Sequence, residues 1–310
     1  MKAACNRILF AIVFFITISP PGSMPCASAQ DSEADRLLGF AESLFKEGDY
    51  YRAISEYKRF IHYYPSAKSL ETASFRIAES YYKARRWQDA IKLFKEFIDK
   101  YPGSAMIYDA FFLKGLSEKN LKQYDEALLS FEEILKRATG QVRHRAIYES
   151  ALVYVEREDW GRARETFSKI PVESGLHDSA GRWRSGLLRI NELPEKSPAV
   201  AGTLAALIPG SGHVYTERYR DALVSFLLNG AFIFAAIELF RHDKDIAGGI
   251  VTFFEVGWYT GNIYSAVSSA HKYNRRVKDE FIQKLKETSS FSFRHDPKTS
   301  ANCIMYSMTY

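Results

Sequence analysis

At 310 residues the chain has room for about two domains. Its formal net charge of +5 includes the N-terminus and a basic cluster late in the chain, which favours a membrane surface over nucleic acid as partner. Three cysteines, at positions 5, 26 and 303, exclude a disulfide framework and a cysteine-based metal site once the first 29 residues are removed.

Residues 1–29 read as a secretory signal. Lys2 and Arg7 supply the positive start, Ile8–Ile18 the apolar stretch, and Ala27-Ser28-Ala29 a small-x-small cleavage site. An uncleaved anchor is the alternative, against which the short apolar run argues. Cys26 follows Met24 and Pro25, unlike a lipidation site.

The next part of the chain repeats itself. Tyr50, Trp87, Tyr124 and Trp160 recur at intervals of 37, 37 and 36 residues. Three residues after each stands an alanine (Ala53, Ala90, Ala127, Ala163), and four further on an aromatic (Tyr57, Phe94, Phe131, Phe167). Twelve residues before each alanine is another small residue: Ala41, Ala78, Gly115 and Ala151. Such periodicity predicts stacked helical hairpins, which usually bind rather than catalyse. Antiparallel helices approach closely only where both offer small side chains, and each second aromatic fills the wedge to the next hairpin. Pro65 and Pro102 end the second helices of the first two repeats. An irregular helical bundle is the competing reading.

This small–small–aromatic–proline spacing resembles the tetratricopeptide repeat, although the last two copies lack the proline. The segment YYPSAKSLETASFRIAESYYKARRWQDAIKLFKEFIDKYP is similar to bacterial envelope proteins of that type, such as outer-membrane assembly lipoproteins and periplasmic cell-division coordinators. The repeats fall near 34–67, 71–104, 108–141 and 144–177, with a capping helix at 177–193, so the domain runs from 34 to 193. The resemblance implies that the first helix of each hairpin lines a concave groove. Matching positions are Glu42, Phe45, Phe75, Arg76, Glu79, Tyr82, Phe112, Lys119, Tyr148 and Glu149. Rings beside charges suit a protein or extended peptide partner; the alternative for any of these rings is packing between hairpins. Arg182, Trp183, Arg184 and Arg189 of the cap have a second reading, contact with lipid headgroups.

After a linker at 194–198 the chain becomes apolar. A membrane module is expected over 199–270, with an apolar segment at 199–215 and spans at 222–240 and 246–270. A buried helical pair is the alternative. If 199–215 also crosses, the tail lies inside; with two crossings it lies outside. Lys272, Arg275, Arg276 and Lys278 favour three crossings, because such clusters stay in the cytoplasm. The turn formed by Pro209, Gly210, Gly212, His213 and Tyr215 resembles the opening of small two-helix membrane modules attached to many bacterial proteins. Asn229, Glu255 and Asn262 are polar groups within the spans, expected to serve helix packing more than a proton relay. Gly257 and Gly261 begin a stripe with Ser265 and Ser269 that offers a homo-oligomer contact or packing within the chain. Residues 271–287 read as a basic amphipathic segment on headgroups, and 288–310 as a disordered tail.

The seven histidines are scattered, and no phosphate loop, zinc motif or Gly-x-Ser-x-Gly is present. The expectation is a non-enzyme that needs no cofactor or metal. The fold class is all-α: a tetratricopeptide-repeat solenoid of about four helical hairpins followed by a C-terminal transmembrane helical hairpin. The function that follows is a membrane-anchored protein-interaction scaffold at the bacterial inner membrane with its repeats in the periplasm, acting in envelope assembly. The alternative is a membrane-active accessory factor for insertion or transport, regulated by the repeats.

Overall fold

A computed structural model describes residues 26–290, with side chains from 33 to 289. The proposed signal up to residue 25, the tail from 291 and Cys303 lie outside the described residues. These residues are helical, without strands, and form two compact units that divide between Gln123 and Tyr124. The first holds α1 (Cys26–Glu47), α2 (Tyr50–Tyr63), α3 (Leu70–Lys83), α4 (Trp87–Lys100) and α5 (Ile107–Asn120). The second opens with α6 (Tyr124–Arg137), α7 (Gly140–Glu156), α8 (Trp160–Ser168) and α9 (His177–Leu188).

Each repeated aromatic is the first residue of a helix: α2, α4, α6 and α8 begin at Tyr50, Trp87, Tyr124 and Trp160. The small positions do what their size allows. Ala41, Ala53, Ala78, Ala90, Ala127, Ala151 and Ala163 are wholly buried, as are Tyr57, Phe94 and Phe131. The hairpins are tetratricopeptide-type helix pairs. Helices α2 and α4 stop before Pro65 and Pro102, whose rings would collide with a continuing helix. Asp49 and Asp159 cap α2 and α8, their carboxylates accepting from the backbone N–H of Arg52 (3.3 Å) and Arg162 (3.1 Å).

Two residues before each of these aromatics the backbone is left-handed: Gly48 (φ 85°), Arg85 (58°), Lys122 (60°) and Glu158 (58°). Glycine alone adopts this conformation without steric cost. Glu158→Gly is therefore expected to stabilise the chain by about 0.5–1 kcal/mol, and Gly48→Ala to destabilise it by about 1 kcal/mol. Thermal melts of the detergent-solubilised full-length chain check both signs.

In the second unit α9 is followed by a 3-10 turn, Arg189–Glu192, and an extended linker. Ser197 caps the next helix and Pro198 occupies its first position, where a missing N–H is harmless. The apolar segment expected at 199–215 is not one helix. It breaks into α10 (Pro198–Leu207) and the short α11 (Ser211–Tyr215), because Gly210 turns with φ 88° after Pro209. At ten residues α10 is about 15 Å long, half the hydrocarbon thickness. Then come α12 (Tyr219–Arg241) and α13 (Asp245–Ser290), an antiparallel pair joined by a tight turn.

Helix α13 continues far beyond its partner, for 46 residues or about 70 Å. Its last part returns to the repeat cap. Phe281, Ile282 and Leu285 pack on the cluster containing Trp183 and Leu187. Gly186 has no side chain where Leu285 sits, and Ser179 Oγ donates to the Ser289 carbonyl at 3.0 Å. The apolar stripe of 271–287 thus lies on protein rather than on headgroups. Trp183 is likewise core: it is 1% exposed and stacks on Phe167, with its indole N–H donating to Tyr148 Oη at 3.1 Å.

Candidate functional site

In the first unit α1, α2 and α3 bring four of the expected groove residues together. Arg76 Nε donates to Glu42 at 3.1 Å and its Nη1 to Glu79 at 2.6 Å. The Tyr57 hydroxyl donates to the same Glu42 oxygen as Arg76 Nε, Oε1, at 2.8 Å. The Arg76 guanidinium also lies 5.0 Å from the centre of the Phe45 ring. Tyr57 follows from the repeat pattern only as a wedge aromatic; its hydroxyl contact was not signalled by that pattern. Burial first, and Glu42 second, push the Tyr57 hydroxyl far above its usual range, so it remains a donor. Burial disfavours the Arg76 charge, but Glu79 and Glu42 outweigh it and hold its pKa above the ordinary guanidinium value.

The network is partly open to solvent. Glu42 and Arg76 keep about a quarter of their side-chain surface, while Glu79 is buried. Arg76→Leu is expected to cost about 2 kcal/mol, since it strips both carboxylates of this cation. In a melt of the full-length chain that is a fall of roughly 4–8 °C.

The other expected groove residues are placed differently. Phe75 packs on Phe94 and Phe97, and Tyr82 on Trp87, inside the second hairpin. Phe112 and Lys119 are buried in α5. Tyr148 is enclosed by Phe167 and Trp183; Glu149, half-buried, neighbours it on α7. The rings Phe75, Tyr82 and Tyr148 therefore serve hairpin packing, because one face of each first helix must meet its own second helix.

The module in the second unit is built on close approaches. A side chain at Gly210 would strike the Ala222 carbonyl, and one at Gly212 the Ala201 carbonyl and the Ala266 methyl. Ser197 N–H donates to the Tyr215 hydroxyl at 3.0 Å, tying the linker to α11. His213 is 2% exposed and its Nε2 lies 3.2 Å from Asn262 Oδ1. The turn and Asn262 thus form one junction.

Among the described residues α12 is the one helix long and apolar enough to cross a membrane, with 23 residues and a mean hydropathy of 2.0. The stretch expected as a second span, 246–270, is more dilute, because Glu255, Asn262 and a run of Gly, Thr, Tyr and Ser interrupt it. Both helices nevertheless expose large apolar side chains, including Leu223, Phe226 and Phe234 on α12 and Phe253, Phe254 and Trp258 on α13. Asn229 and Glu255 stand thirteen residues before and after His242 in the turn, so antiparallel pairing sets them at one level. Both are buried, Asn229 donating to the Ser225 carbonyl while its Oδ1 and the Glu255 carboxylate have no partner. Gly257 and Gly261 are exposed, with no atom near a side chain that would replace their hydrogens. No group of His, Cys, Asp and Glu among the described residues is arranged to hold a metal ion.

A family model for YfiO, described as an outer membrane lipoprotein, matches residues 30–170, a little under half of the chain. No curated protein matches it. Among solved structures the chain is similar to a tetratricopeptide repeat protein from Parabacteroides merdae, at 14% identity over 82% of this chain and 99% of that one, with a TM-score of 0.43. It is similar also to PilF of Pseudomonas aeruginosa, at 13% identity over 80% of this chain and 99% of that one, with a TM-score of 0.38. MamA of Desulfovibrio magneticus matches at 18% identity over 44% of this chain and 73% of that one, with a TM-score of 0.38. At these scores the structural likenesses carry no functional argument.

Proposed function

We propose that the chain is a membrane-anchored protein-interaction scaffold of the bacterial envelope, with its repeats on the periplasmic face of the inner membrane. The observation that carries this reading is the return of α13. The helix that partners apolar α12 is the same helix that packs on the repeat cap at Gly186. The match of residues 30–170 to an outer membrane lipoprotein family supports an envelope location and a protein-binding role for the repeats.

The same helix fixes the topology of the proposal. Helix α12 crosses, α13 crosses back, and both the repeats and the end of α13 occupy one side. Segment 199–215 enters the membrane and returns to that side, since α10 is too short to span and lies against Tyr259, Ile263 and Val267 of α13.

Binding is assigned to the surface around Glu42, Phe45 and Arg76. Reversing the charges of Arg76 and Glu79 together would place a carboxylate against Glu42 and damage the fold. A gentler pair, Glu42→Gln with Phe45→Ala, keeps an acceptor for Tyr57 and removes the negative charge and the ring. Crosslinked membranes carrying this full-length variant should lose a partner that the unaltered chain captures. Identical catches, with matched expression and melting temperature, would remove the site from this surface.

A further inference from the structure

A groove of about 800 Å3 runs along the second unit between α12 and the first half of α13, within the size range of small-molecule sites. Its level is set by Arg218, whose Nη1 donates to Ser269 Oγ at 2.9 Å where α12 begins. Below that level Ser265, Gly261 and Gly257 follow one another at helical spacing along one face of α13. Val224 stands on α12, with Phe253 and Trp258 further down α13.

The chemistry changes in order along this groove. At the mouth Lys272 lies two turns beyond Ser265 and Arg220 one turn before Val224, on the same faces. Both are exposed, and among the described residues neither makes a hydrogen bond or ion pair, whereas Arg218 is held by Asp221. Next come His213 and Asn262, both more than nine-tenths buried and both lining the groove. They bind each other through Nε2 and Oδ1, which leaves His213 Nδ1 and Asn262 Nδ2 without partners. Beyond them the bare backbone of Gly261 and Gly257 and the apolar side chains leave room for hydrocarbon alone.

Cation, hydrogen-bonding step and apolar channel are the sequence of demands made by a phosphate, a glycerol ester and an acyl chain. We propose that this groove holds one phospholipid with a net negative headgroup. Lys272 and Arg220 face its phosphate, Asn262 Nδ2 donates to an ester carbonyl, and one chain lies over Gly261 and Gly257. The proposal rests on the membrane reading above, and it adds a specific ligand to the general anchoring.

The test uses the full-length chain in mild detergent with equal amounts of phosphatidylglycerol and phosphatidylcholine, read by native mass spectrometry. Phosphatidylglycerol should be retained in roughly twenty-fivefold preference, because each of the two basic groups near an anionic headgroup contributes a factor of about five. Arg220→Gln with Lys272→Gln should bring that ratio close to one. Gly261→Leu has open space around it, so the fold should hold while retention of both lipids falls several-fold. No retained lipid, or equal retention by Gly261→Leu, would overturn the proposal. So would a ratio unchanged in the charge variant. A dimer that Gly261→Leu dissociates, with no lipid held, would overturn it in favour of a second copy on the glycine stripe. Flotation with vesicles separates the two levels: a chain that floats but retains no lipid loses only the groove. One that does not float loses the membrane reading as well.

Discussion

Trp183→Ala is expected to be the most damaging truncation among the described residues from 124 to 289, at roughly 3–5 kcal/mol. Trp183 is the largest wholly buried side chain there, stacked on Phe167 at 5.8 Å between ring centres and donating to Tyr148. Its removal opens a cavity and takes one hydrogen bond from the Tyr148 hydroxyl, so the cost includes lost transfer energy, lost packing and a lost hydrogen bond. The same cluster receives Phe281, Ile282 and Leu285 from α13, so the loss loosens the return of that helix too. Trp183→Phe keeps a ring against Phe167 and forfeits the hydrogen bond, and should cost about 1–2 kcal/mol. Melting of the detergent-solubilised chain distinguishes these outcomes. A change of a degree or less for the alanine variant would contradict the packing described.

The second large effect is expected at Gly212. A side chain there meets the Ala201 carbonyl and the Ala266 methyl, and neither is the free end of a flexible group. Gly212→Val must push α11 away from α10 and α13, at a cost of about 3 kcal/mol or more, since overpacking a close backbone contact has no cheap relaxation. The His213–Asn262 contact would open with it. Gly257→Ala is the matched control. It lies in open space, and alanine favours the helix by up to about 1 kcal/mol. Full-length protein recovered from membranes, measured by yield and melting temperature, should fall for Gly212→Val and hold for Gly257→Ala. Equal behaviour of the two would refute the close approach.

The repeats were legible because their signal is local and repeated. An aromatic at each second-helix start, an alanine three residues on and a small residue twelve before it are facts of spacing, and the helices begin on those aromatics. The use of each ring was not legible. Phe75, Tyr82, Phe112 and Tyr148 lie on helices that are half-buried anyway, and the pattern does not say which face meets the neighbouring helix. Phe45 and Arg76 are half-buried, and Phe45 too packs on its own hairpin, against Tyr50. In segment 199–215 the turn at Pro209 and Gly210 was legible, while composition left open whether the apolar residues around it cross the membrane or dip and return. The largest miss was the end of α13. An amphipathic stripe at Phe281, Ile282 and Leu285 announces that something apolar covers it, but not what does. Gly186, about a hundred residues earlier, supplies the space, and a contact at that separation leaves no mark on local periodicity. The turn residues Arg85, Lys122 and Glu158 are equally silent, because their left-handed backbone is imposed by the hairpin and not by residue type.

The return of α13 to the repeat cap is best tested by side-specific labelling of intact spheroplasts with a membrane-impermeant maleimide. Single cysteines would be placed by Gln88→Cys in the repeats and by Lys244→Cys in the α12–α13 turn, or left at native Cys303, with the other native cysteines replaced by serine. The account predicts that positions 88 and 303 label without lysis and that position 244 labels only after it. Positions 88 and 303 on opposite sides of the membrane would contradict it.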